Sequence, residues 1–84
     1  MILERFKDYI DSNKLEIHID DSGIYVLNYK KILSFLDSKI IITDNIKNVS
    51  IIGNNLVISK LKKEELYITG DIYEVVLRWI WLIL

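Results

Sequence analysis

From Leu15 onward the apolar residues of this chain keep a period of two. Leu15, Ile17 and Ile19 alternate with Glu16, His18 and Asp20, and similar short runs recur as far as Arg78. Successive side chains of a strand point to opposite faces, so this spacing is that of half-buried strands, not of a helix. Composition pushes the same way: seventeen Ile and eleven Leu stand against no Ala and no Pro in 84 residues. Ile is β-branched and packs well on a pleated surface, whereas Ala is the strongest helix former. A chain this short supports one hydrophobic core, so residues 1–84 read as a single domain with no room for a second core or a long lid.

Punctuation divides the chain into elements. Residues 2–11 place Ile2, Leu3, Phe6, Tyr9 and Ile10 at helical spacings, with Glu4, Arg5, Lys7, Asp8 and Asp11 on the other side. This predicts one short amphipathic helix within 1–13. The β domain then occupies 15–78. Asp20-Asp21-Ser22-Gly23 supplies turn chemistry before a second strand over 24–29, with Gly23 free to take positive φ. Further strands are expected at 32–36, 39–43, 49–53, 56–60, 66–70 and 72–78, separated by Asp37-Ser38, Asp44-Asn45, Asn54-Asn55 and Lys62-Lys63-Glu64. About eight short strands of this kind predict a mainly β fold, a small antiparallel meander or sandwich. Residues 79–84 form an apolar extension too short to span a bilayer as a helix, which needs roughly twenty residues.

One internal echo stands out. Val49, Ile51, Gly53, Leu56 and Ile58 recur seventeen positions later as Leu66, Ile68, Gly70, Tyr73 and Val75. Two similar hairpins would produce it, as would two coils of a β-solenoid-like stack, which is the alternative architecture.

Chemistry-bearing residues are sparse. Eleven basic and twelve acidic residues are interspersed to a formal charge of −1, unlike the basic stripe of a nucleic-acid binder. Without Cys there is no disulfide framework, thiolate metal site or Cys nucleophile. His18 is the single imidazole and falls on the polar side of a strand, where an ordinary surface residue accounts for it better than catalysis or metal binding. Asp20 and Asp21 are adjacent carboxylates suited to a hard cation, yet beside Ser22-Gly23 they are better explained as turn residues. Glu64 and Glu65 follow Lys62-Lys63 in a solvated loop. No phosphate-binding loop, dinucleotide fingerprint, zinc-protease helix or nucleophile elbow is present, and no enzyme, cofactor, metal or small-molecule substrate is expected. Charged residues at 4, 5, 7 and 8 interrupt any signal-peptide core, so a cytoplasmic location is expected.

Apolar excess marks the candidate contact surfaces. Ile40, Ile41 and Ile42 form an unbroken run, as in a strand covered on both faces or at a subunit contact. Trp79 and Trp81 fall on one side of a terminal strand, with Ile80, Leu82 and Leu84 on the other, suiting either a last core strand or a docking edge. Tyr25, Tyr29, Tyr67 and Tyr73 lie in expected strands, where balanced charge favours packing or protein contact over base stacking. A small β-barrel that binds a ligand or nucleic acid is the alternative of a different class.

The segment from Ile24 to Val76 carries a more specific pattern: I-Y-V-L-N-Y-K (24–30), K-I-I-I-T (39–43), V-S-I-I-G-N-N-L-V-I (49–58) and E-L-Y-I-T-G-D-I-Y-E-V (65–75). The order of an aromatic-Lys strand end, an I-x-G-x-x-L-x-I hairpin and an E-x-x-I-x-G-x-I strand pair resembles the YabP/YqfC family of sporulation proteins, closer to the YqfC type. The resemblance implies a non-catalytic, mother-cell role in endospore coat or envelope assembly beside a membrane-protein partner. Contacts with other sporulation proteins and a homo-oligomer are expected, without nucleic acid. Gly53 and Gly70 fall on the motif glycines and, with Gly23, are expected as backbone features.

Overall fold

The computed structural model describes residues 14–80. The helix expected within 1–13 and Trp81 lie outside the described residues.

The described residues form β1 (Glu16–Ile19), β2 (Gly23–Leu27), β3 (Lys31–Leu36), β4 (Lys39–Thr43), β5 (Lys47–Lys62) and β6 (Glu65–Trp79). They make one antiparallel sheet in the order β1-β2-β6-β5-β4-β3. The fold is mainly β, as the period of two predicts, and antiparallel rather than coiled, so the solenoid alternative does not hold. Six strands replace the expected eight because neither Asn54-Asn55 nor Gly70 ends a strand. Asn54-Asn55 lies inside β5 and Gly70-Asp71 inside β6, making those strands 16 and 15 residues long.

Bulges explain why. Register between β5 and β6 shifts at Ile52/Gly53, at Asn54/Val57 and at Ile58/Lys60. Asn55 (φ 55°) and Gly70 (φ 130°) take positive φ at the middle shift. An extra residue bends a strand and resets which side chains face inward without breaking the ladder. On β5 the inward set passes from Val49, Ile51 and Gly53 to Leu56 and Ile58, an odd-to-even change that the bulge requires. The seventeen-residue echo has the same origin. Gly53 abuts the Asp71 and Ile72 backbone and Gly70 abuts the Asn55 and Leu56 backbone, so the two strands of one pair bend reciprocally at matching glycines.

The core lies on one face of the sheet. Ile24 and Val26 of β2, Ile40 and Ile42 of β4, Val49, Ile51 and Leu56 of β5, and Leu66 and Ile68 of β6 form one buried cluster with Tyr29. Two strands separate β2 from β4 in the sheet, so the sheet curls and closes its apolar face on itself. The link from β2 to β3 ties the curl. Asn28 (φ 66°) donates its amide to the Glu64 carbonyl at 2.6 Å, and the Lys30 amide donates to Thr43 at 2.8 Å. The Tyr29 hydroxyl donates to the Lys62 carbonyl at 3.3 Å, and burial pushes its pKa above the ordinary phenol value.

Asp44 organises the β4–β5 turn. Its carboxylate accepts the amides of Ile46 (2.9 Å) and Lys47 (2.7 Å) and the Lys47 ammonium at 3.0 Å. Burial pushes the Asp44 pKa up, but these hydrogen bonds outweigh it and hold the carboxyl below its ordinary value. Replacing Asp44 with Ala is expected to cost about 2 kcal/mol in urea melts, the scale of hydrogen bonds to a charged group. A native pKa below the unfolded one stabilises the fold above the unfolded value, and the gain drains as pH falls through the native value. The difference in melting temperature between the parent and Asp44→Asn should therefore shrink below about pH 4; a constant difference across that range would refute the assignment.

Candidate functional site

The polar candidates of the sequence do not converge. His18 pairs across the strands with Tyr25, and its Nε2 lies 3.9 Å from Glu16 Oε1. Asp20 is occupied by its own turn, where its Oδ1 accepts the amides of Ser22 (2.8 Å) and Gly23 (2.9 Å). Asp21 is exposed beside it. Glu64 (φ 61°) closes the β5–β6 turn, with a carboxylate 3.4 Å from Lys30 Nζ. Among the described residues no group of three or more His, Asp or Glu side chains is placed to hold a metal ion.

The tyrosines divide into three environments. Tyr25 and Tyr67 face each other on β2 and β6 and stack, with ring centroids 4.1 Å apart and 21° between planes. Lys60 pairs with Tyr67 on the next strand, so His18, Tyr25, Tyr67 and Lys60 make one cross-strand row on the face away from the core. Tyr29 is buried, whereas Tyr73 is exposed on the other half of β6. The four therefore do not form a continuous stacking platform.

Two expected features need correction. Ile40 and Ile42 are fully buried in the core and are not offered to a partner, because alternation turns only Ile41 to the opposite face, where it is half-buried. Gly23 does not take positive φ. It opens β2 directly against the Ile68 backbone, so close approach between strands, not turn conformation, requires glycine there.

Strand length sets the remaining surfaces. β2 pairs with β6 only from Glu65 to Thr69, so along 70–79 one side of β6 has no strand partner among the described residues. That half carries Tyr73, Leu77 and Trp79, which are 66%, 46% and 41% exposed. Trp79 is steadied by Lys47, whose Nζ sits 4.9 Å from the ring centroid. A cleft of about 390 Å³ runs between the β1–β2 turn and this side of β6, lined by Asp20, Asp21, Ser22, Gly70, Tyr73 and Glu74 among others. The sequence signals Trp79 as a contact residue and places Tyr73 among tyrosines suited to packing or protein contact, but does not single out Leu77. A strand expected to end at Gly70 hides the length by which β6 outruns β2.

Other edges are shorter or guarded. β1 is four residues long, β3 is bulged between Ile32 and Ser34, and the free half of β5 carries Lys60, Lys62 and a register shift at Ile58/Lys60. Short strands, bulges and lysines are the means by which sheets discourage further pairing. No helix among the described residues is long and apolar enough to cross a membrane.

A family model described as the YabP family matches residues 11–78, which is most of the chain. No curated protein and no solved structure matches.

Proposed function

The chain belongs to the YabP family, a membership that points to a sporulation-related role, and from it we propose a non-catalytic component of endospore coat or envelope assembly. It works through contacts with copies of itself and with other sporulation proteins, at the periphery of a membrane that holds one of its partners, on the mother-cell side. The observation that carries this reading is the exposed apolar residues on the open half of β6, where Tyr73, Leu77 and Trp79 lie along an edge that no strand among the described residues covers. Exposed strand edges with apolar side chains recruit other chains by strand addition.

Two measurements test it. Deleting the gene in a spore-forming host that carries it should yield spores with defective coat or envelope; spores of normal structure and resistance would overturn the role. Tagged protein purified from sporulating cells should bring down a coat or membrane protein, and the complex should survive moderate salt because apolar strand contacts hold it. Retention that falls steeply with salt would point instead to binding of nucleic-acid phosphates.

A further inference from the structure

We propose that the open half of β6 pairs with the same strand of a second copy, antiparallel about a two-fold axis at Val76, to join two six-stranded sheets into one. The proposal rests on the adhesive reading above and specifies the surface and register of its self-association.

The first observation is that this edge runs regular and little guarded from Glu74 to Trp79, past the bulge at Tyr73. Residues 71–79 contain no Pro, no Lys and no Gly, and their charges are Asp71, Glu74 and Arg78. The bulge interrupts the edge at Tyr73, but the six residues after it, Glu74 to Trp79, make an edge of the kind that sheets ordinarily break up.

The second observation is self-complementarity. With Val76 on the axis, Glu74 of each copy faces Arg78 of the other and Val75 faces Leu77, all within the regular stretch after the bulge at Tyr73. The faces agree as well. Pairing with β5 sets Glu74, Val76 and Arg78 on the face of Ile52, Ser50 and Asn48, and Val75 and Leu77 on the core face with Ile51 and Val49. The charged pairs therefore stay on the outer face, and the pairing of Val75 with Leu77 extends the core face across the junction. Moving the register by one residue would set core-facing side chains against outer ones. Moving it by two in either direction sets Arg78 against Ile72 or Val76, and Glu74 against Val76 or Ile80. Only the Val76 register answers both charges. Opposite charges placed directly across an antiparallel pair attract and like charges repel, so the pattern selects this register.

The third observation is burial left incomplete within one copy. Leu77 sits opposite the fully buried Val49 on the core side, yet is 46% exposed because nothing flanks β6 there among the described residues. A second β6 at the usual strand spacing of about 4.8 Å would cover it.

Charge exchange on the full-length chain tests the register. Sedimentation equilibrium of the parent should show a dimer, while Arg78→Glu and Glu74→Arg should each raise its dissociation constant roughly tenfold or more, since every charged pair then becomes repulsive. The double variant Glu74→Arg/Arg78→Glu restores opposite charges and should restore the dimer. Both residues are exposed, so thermal melts of all three variants should match one another at concentrations low enough to keep each monomeric. As the chain has no Cys, Val76→Cys adds one thiol, and under oxidising conditions it should form a covalent dimer through the axis, whereas Ser50→Cys on the neighbouring strand should not. A monomeric parent at high concentration, single reversals that leave the dimer intact, or a double variant that fails to restore it would each overturn the interface. Failure here with spore defects on gene deletion would leave the assembly role standing; a dimer of this register with normal spores would remove the role and keep the interface.

Discussion

Gly70→Val is expected to lose roughly 3 kcal/mol or more, several times the cost of an ordinary strand substitution and enough to leave a small domain partly unfolded at room temperature. Two causes act together. Gly70 holds φ at 130°, a region that side-chain-bearing residues rarely adopt, and a Cβ there would lie 2.6 Å from the Asn55 carbonyl oxygen and 3.0 Å from Leu56 Cα. Both neighbours are backbone atoms of the paired strand, so no rotamer change relieves the contact. Gly53 lacks the unusual φ, but its Cβ would collide with the Asp71 carbonyl. Because the clash starts at Cβ, even Gly53→Ala and Gly70→Ala should be costly, whereas Val57→Ala on the exposed face of β5 should cost about 1 kcal/mol or less. Urea melts of the four variants decide the matter. Glycine variants that melt like Val57→Ala would remove the reciprocal bend as the reason for these residues.

The same glycines show how far the sequence could be read. Alternation at Leu15–Asp20 and the Asp20 turn are local, and β1 and the start of β2 follow from them. Asn54-Asn55 and Gly70 are also local signals, but turns and bulges favour the same residues, because either can place a residue at positive φ, as Asn55 and Gly70 are here. What separates them is whether a partner strand continues past the irregularity, and that is a property of the β5–β6 pair as a whole. The open half of β6 was hidden for the same reason: an edge exists only relative to neighbours, and the spacing of Tyr73, Leu77 and Trp79 says nothing about where β2 stops. By contrast the resemblance of 24–76 to one family needs only order and spacing, and the family match over 11–78 agrees with it.

The Ile40-Ile41-Ile42 run gives the second large effect, and it separates core from contact within three residues. Ile40 pairs with Ile51 and Ile42 with Val49, and all four are fully buried. Ile40→Ala and Ile42→Ala should each cost about 3 kcal/mol, the lost transfer free energy plus the cavity left in a core that relaxes only in part. They lie on one face of one strand, so their cavities merge and the double variant should depart from additivity. Against a total stability of about 5–15 kcal/mol, the pair together should remove about 6 kcal/mol, a large share of the whole, and lower the melting temperature far more than either single change. Ile41 faces the other way, opposite Ser50, and is half-buried there. Ile41→Ala should cost less than about 1 kcal/mol, so the variant remains folded and its binding can be measured. Denaturation of the three single variants checks the order, and equal losses at all three positions would mean that β4 is covered on both faces. If Ile41→Ala folds normally yet loses a partner captured from sporulating cells, then of the three isoleucines the one that alternation turns away from the core is the one that makes contact.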